Sequence, residues 1–149
     1  MAFERVYTVD DYYDGPRSGI TEYCGQPHHY RCEWDEAKSN YAASFLLMPV
    51  DAETLALATE QWAIWREWEA AFHRGEVPQS THPGRAGTNR RYDELQAKIA
   101  DRIARQPTQA VRACPVFRVP DQANLPPGVM RELEVEWTEV ESLTQDTLA

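Results

Sequence analysis

Three groups of side chains in this 149-residue chain have the types and spacing to do chemistry. The first is Cys24, His28 and Cys32. They share one face of a strand pair if the turn between them is odd in length, and Cys114 could add a fourth ligand. Three thiolates and one imidazole suit structural zinc. The spacing lacks the tight cysteine pair of zinc modules, and cysteine commonly serves as a small buried hydrophobe. The expectation is therefore packing, with no metal and no cofactor.

The second group is the loop Gly84–Arg91, GRAGTNRR, which runs into a helix. Exposed backbone N–H groups, the positive end of that helix, and Arg85, Arg90 and Arg91 together suit a phosphate or carboxylate. Basic side chains outnumber acidic ones from Arg85 to Arg112, inside a chain of net charge -9. The loop is not a P-loop, because no Gly-Lys-Ser/Thr follows. The plainer reading is a solvated loop whose arginines pair with an acidic surface.

The third group is Tyr12, Tyr13, Asp14 and Arg17, with Tyr23, His28, His29 and Tyr30 close behind. Such side chains supply rigid contact area and hydrogen bonds at recognition surfaces. They also stabilise turns and cover sheets, but a Tyr-Tyr pair within a turn-rich segment is hard to assign to packing. The residues expected to touch a ligand or partner are Tyr12, Tyr13, Asp14, Arg17, His29, Arg85, Arg90 and Arg91. No catalytic residue is assigned. The chain has no G-x-S-x-G elbow and no cysteine in a catalytic context. His73 and His82 flank the start of the long loop and would act as bases only with Glu69 or Asp93 placed to orient them.

The elements that must position these groups are readable from periodicity. Phe3 to Val9 reads as a strand, followed by the turn-rich DDYYDGPRSG. Ile20–Cys24 and His28–Trp34 read as a hairpin around Gly25-Gln26-Pro27. That turn would set Cys24 opposite His28, with His28, Tyr30, Cys32 and Trp34 inward and His29, Arg31 and Glu33 solvated. Ala43 to Val50 suits a strand covered on both faces. Asp51 to Gly75 is an amphipathic helix holding three of the five tryptophans, Trp62, Trp65 and Trp68. Asp51 stands at its N-cap and Gly75 at C′. With Phe72, Trp62 and Trp65 are expected to be mostly buried against the sheet. A polar loop, Glu76–Thr88, is long for a helix–helix link, so it either spans separated helices or covers something. A second helix runs from about Asn89 to Arg105, with Pro107 beyond its end. Strands follow at Val111–Val119 and Arg131–Glu139, with Arg112 and Arg118 facing the glutamates of the last one. The residues after Val140 read as a frayed tail.

Hydrophobic residues make up 42% of the chain and aromatics 11%, which excludes a disordered chain. The net charge of -9 disfavours nucleic acid and anionic membrane. No run approaches the roughly 20 apolar residues of a membrane span, and the acidic N-terminus does not read as a signal peptide. Three cysteines do not suggest a disulfide framework. Together these point to a cytoplasmic protein, and the Arg- and Trp-rich, Lys-poor composition suggests a bacterial one.

Strands cluster rather than alternating with helices, which favours an α+β domain over a doubly wound sheet. The expected architecture is one domain over residues 1–149. It has a curved, mostly antiparallel sheet of about five to six strands, with the Trp-rich helix and a second helix inserted between strands four and five. The expected function is non-enzymatic binding of a protein partner through an acidic, Tyr-rich surface, by a monomer or homodimer. The alternative is a small enzyme or ligand-binding protein holding a small anion on Gly84–Arg91.

Overall fold

The computed structural model describes residues 2–105, 109–120 and 132–140. It is an α+β fold in which seven antiparallel strands form one curled half-barrel, with two helices inserted between the fifth and sixth strands. The strands are β1 (Glu4–Arg5), β2 (Asp11–Tyr12), β3 (Pro16–Tyr23), β4 (Gln26–Asp35), β5 (Asn40–Pro49), β6 (Val111–Arg118) and β7 (Glu134–Glu139). The helices are α1 (Ala52–His73) and α2 (Arg90–Ala104). The sheet order is β1-β7-β6-β5-β4-β3-β2. The expected tail beyond Val140, Pro107 and Arg131 lie outside the described residues.

The count differs from expectation because the N-terminal stretch is not one strand. Glu4 and Arg5 pair with β7, Val6 bridges to Thr21 of β3, and Asp11 and Tyr12 pair with β3. The segment is thus a strap running from one end of the curled sheet to the other, and the helices follow strand five rather than four. Gly19 permits its close approach, since a Cβ there would overlap the Thr8 carbonyl and the Tyr30 hydroxyl. That hydroxyl donates to Thr8 O at 2.9 Å, and Thr8 Oγ1 accepts from Ile20 N–H at 2.9 Å.

The β3–β4 turn also departs from expectation. Cys24 and Gly25 both take positive φ, 53° and 76°, and Tyr23 pairs directly with Gln26. This is the two-residue turn with left-handed central residues that matches strand twist. Thr21, not Cys24, therefore lies opposite His28, and Gly19 lies opposite Tyr30.

Two clusters make the core. Inside the curl, Val6, Tyr30, Cys32, Phe45, Leu47, Ala113, Val135 and Trp137 pack together. On the outer face, Ile20 and Val50 pack against Ala58 of α1 and Leu95 and Ile99 of α2. Because both faces of β4 are covered, His29 is buried, which corrects its expected place among solvated residues. It shares the helix-covered face with Ile20, its register partner on β3. Trp34 is corrected the other way. A register shift between Cys32 and Trp34 turns the strand beyond the core, leaving the indole 51% exposed.

Local chemistry fixes the helices as the sequence indicated. Asp51 Oδ1 accepts the Thr54 N–H at 2.8 Å and the Thr54 hydroxyl at 2.6 Å. Gly75 takes φ 75° one residue past the α1 C-cap, and Asn89 caps α2 through Tyr92 N–H at 2.9 Å. Arg102 of α2 bonds Thr54, Asp51 and Glu53 at 3.0 Å each, tying the end of α2 to the start of α1. Arg118 pairs with Glu134 on β7 as expected, whereas Arg112 takes Glu33 of β4 at 2.5 and 2.9 Å.

An aromatic cavity between the strap, the loop and the helices

The tryptophans of α1 are not core residues. Thr54, Ala58, Gln61 and Glu69 are the buried positions of the helix, while Trp62, Trp65, Trp68 and Phe72 are only half-buried. The correction has a structural cause. The outer face of the sheet is shared with α2, so the aromatic stripe is covered mainly by the loop that follows α1. Trp68 Nε1–H donates to Thr81 Oγ1 at 2.9 Å, and the His82 ring sits 4.6 Å from Trp65 and 4.8 Å from Trp68. Pro83 is fully buried. The Glu76–Thr88 loop therefore covers tryptophans, and a short connection could not do so.

Where strap, α1, loop and α2 meet, they frame a cavity of about 270 Å³ that is open to solvent on one side. The strap contributes Val9, Asp10 and Tyr12, and α1 contributes Gln61, Trp62 and Trp65. The loop adds His82 and Gly84, and α2 adds Tyr92 and Gln96, one turn apart on a single face. Gln61 Nε2 donates to Gln96 Oε1 at 2.8 Å, linking the two helices beside the cavity. Gly84 N–H donates to His82 Nδ1 at 3.0 Å, so that ring nitrogen is an unprotonated acceptor in this arrangement.

Asp10 is the cavity's carboxylate. Its backbone N–H donates to Ser18 O at 2.8 Å, which fixes it on the strap. Desolvation by the surrounding protein raises its pKa from 3.8 to about 6, a hydrogen bond from Thr8 opposes the rise, and Asp11 adds to it. The residue as a whole remains solvent-exposed. Both statements hold for a group at a cavity mouth, where water reaches one side and protein atoms crowd the other. The Tyr92 hydroxyl is likewise pushed up, first by burial and then by the negative charge of Asp10 and Asp93.

The Tyr-rich group divides. Tyr12 lines the cavity, whereas Tyr13 belongs to a separate exposed patch with Trp34 and Tyr41. Tyr13 and Tyr41 lie 6.1 Å apart, and Trp34 meets Tyr41 edge-on at 5.3 Å. Arg17 is the patch's scaffold. Its guanidinium lies 4.3 Å from the Tyr41 ring centre, donates to Tyr13 O at 2.8 Å, and reaches Cys32 Sγ at 3.4 Å. Asp14 is exposed in the intervening turn with φ 54°. His29, 9% exposed beneath the helices, is not on this surface.

In the Gly84–Arg91 loop, the chain's own carboxylates answer several of the donors. Gly87 N–H donates to Asp93 Oδ2 at 2.8 Å, and Arg91 binds Glu60 at 2.6 and 2.8 Å. Arg90 lies 3.4 Å from Glu94, and the Arg85 side chain is exposed. The cysteines are not gathered. Cys24 is exposed in the turn, Cys32 is buried in the curl with its thiol donating to Ala42 O at 3.3 Å, and Cys114 is half-buried on β6. Among the described residues, no three His, Cys, Asp or Glu side chains are grouped as a metal site.

Sequence reasoning named Trp62, Trp65 and Tyr12 but placed the tryptophans in the core. It missed Asp10, Gln61, Tyr92 and Gln96 as partners. The one available signal was Gln61, a carboxamide on the apolar stripe of α1. No protein-family model, curated protein or solved structure matches this chain.

Proposed function

We propose that the protein is a non-catalytic binding module whose working site is the cavity between the strap, α1, the loop and α2. The observation that carries this reading is the make-up of that cavity. About 270 Å³ of concave space is lined by four aromatic side chains, and Asp10, His82, Gln61 and Gln96 are placed to fix orientation. Small-ligand sites share this pattern of apolar walls with few, placed polar groups. The loop favours the reading too, because ordering thirteen residues, Glu76–Thr88, costs conformational entropy that a shorter connector would not require. The test is a ligand screen read by thermal shift and tryptophan fluorescence, with hits repeated on Trp65→Leu and Gln96→Leu. Hits that bind both variants like the parent would place the site elsewhere.

One observation favours a second reading, recognition of a basic protein partner. Tyr13 is 66% and Trp34 51% exposed on a chain of charge -9, and aromatic anchors with opposite charge serve protein recognition. A double Tyr13→Ser/Trp34→Ser variant should then lose binding to a Lys/Arg-rich peptide at low salt while keeping the ligand response of the cavity. Equal peptide binding by variant and parent would remove this reading.

A further inference from the structure

Resting on the reading of the cavity as a ligand site, we infer that its ligand is a small organic cation carrying an alkylated ammonium group. The Asp10 carboxylate supplies the counter-charge, and Trp65, Tyr92 and Tyr12 supply the walls.

Asp10 is the single carboxylate among the residues that line the cavity, and no Arg or Lys lines it. Two nearby guanidinium groups are engaged elsewhere, and Arg85, next to Gly84, is exposed and does not line the cavity. Arg91 is bound to Glu60, and Arg66 lies 5.8 Å from the Trp62 ring centre and lines a separate, smaller cavity. Among the described residues, Asp10 has no ion-pair partner. A crowded carboxylate without a counter-charge is unfavourable for the protein alone, and an entering cation relieves it.

The lining selects the kind of cation. A metal ion such as calcium takes six to eight oxygen ligands, and the cavity offers one carboxylate. A primary ammonium needs acceptors for three N–H groups, and the lining offers one carboxylate and two carboxamides already bonded to each other. An alkylated ammonium needs few hydrogen bonds. Its spread positive charge is attracted to the faces of Trp and Tyr rings, the arrangement that recognises quaternary and methylated ammonium groups. The overall charge of -9 adds attraction during encounter.

The test uses the full chain and three probes of comparable size, read by tryptophan fluorescence and calorimetry. The probes are choline, its uncharged isostere 3,3-dimethylbutan-1-ol, and the anion butyrate. The expected result is that choline binds roughly tenfold or more tightly than the isostere and butyrate binds less than either. In Asp10→Asn, checked for an unchanged circular dichroism spectrum, the preference for choline should fall to roughly twofold or less. Tyr92→Leu should weaken choline more than the isostere, which keeps the idea testable should Asp10→Asn fail to fold. If the isostere binds as well as choline, if butyrate binds best, or if the preference survives in Asp10→Asn, the cation assignment is overturned and the ligand-site reading stands. If none of the three binds and the broader ligand screen also yields no hit at this cavity, both fall together.

Discussion

Replacing His29 with leucine isolates the effect of one buried nitrogen on the stability of this sheet. His29 lies on β4, between Ile20 of β3 and Met48 of β5, and is 9% exposed. Its Nδ1 is buried with no hydrogen-bond partner among the described residues. Burial, reinforced by the positive charge of Arg31, lowers its pKa from 6.5 to about 4. The folded state therefore binds this proton less readily than the unfolded chain does. Stability is full above about pH 6.5 and declines as the pH falls from there towards 4. At pH 5 the unfolded imidazole is almost fully protonated and the folded one is not, a difference of about 2 kcal/mol. Leucine removes that linkage and the unsatisfied nitrogen, whose burial costs ~1–3 kcal/mol. Urea unfolding followed by tryptophan fluorescence at pH 7.5 and pH 5 gives the comparison. The wild type should lose about 2 kcal/mol more than His29→Leu between the two pH values. Asp10 titrates over part of the same interval with opposite sign, but it is present in both proteins and cancels in the difference. Equal losses would show that His29 is hydrated or hydrogen-bonded in solution, and the argument from the orphaned nitrogen would fail.

Three further outcomes are expected. Asp10 has a folded pKa raised to about 6, so its contribution to stability is present below pH 3.8 and lost as the pH rises through 6. Asp10→Asn should therefore be the more stable protein at pH 7.5, by less than about 1 kcal/mol after discounting for solvent screening, and its advantage should vanish at pH 3.5. A melting temperature below wild type at pH 7.5 would contradict this. Gly19→Ala should cost ~1–3 kcal/mol in urea unfolding, because its methyl group would overlap the Thr8 carbonyl and push the strap off β3, and an unchanged midpoint would show that the strap is not held there. Trp137, 6% exposed inside the curl, should cost ~3–5 kcal/mol when cut to alanine, and the half-buried Trp65 clearly less. A reversed order would restore the Trp-rich helix to the core.

The parts of the fold legible in the sequence are those decided within a few residues. Asp51 and Gly75 bound α1, Asn89 starts α2, and alternation marks Val135 and Trp137 as inward on β7, because caps and pleats act locally. The β3–β4 register was not legible, since it depends on Cys24 adopting φ 53°, a conformation favoured by glycine and asparagine rather than cysteine. Alternation along His28–Trp34 separates two faces but does not reveal that both are covered, so His29 was misplaced. The strap escaped for a similar reason. Glu4–Arg5 and Asp11–Tyr12 are too short to show a period, and their pairing with β7 and β3 is set by the curl of the whole sheet. Tyr12 was legible as a candidate because its setting lacked a packing role. Asp10 was not, because an aspartate in an acidic turn-rich segment carries no mark of the helices that will crowd it.

What separates a ligand site from a loosely packed core is whether the features that oppose stability converge. Here several meet in one place. Trp62 and Trp65 stay partly exposed although α1 has the length and apolar stripe to bury them. Asp10 is crowded by protein with no ion-pair partner among the described residues, and a long polar loop is ordered onto the aromatic stripe. Folding alone favours sliding the tryptophans into the outer core beside Ala58 and replacing Asp10 with a neutral residue. Natural sequences depart from local consistency mainly where function requires it. His29 stands in contrast. Its unpaired nitrogen also opposes stability, but it is sealed between strands and helices, away from solvent, so no ligand can use it. Asp10 is open to water on one side and faces aromatic walls on the other, so on the proposed reading the same kind of cost becomes an affinity for a ligand that enters.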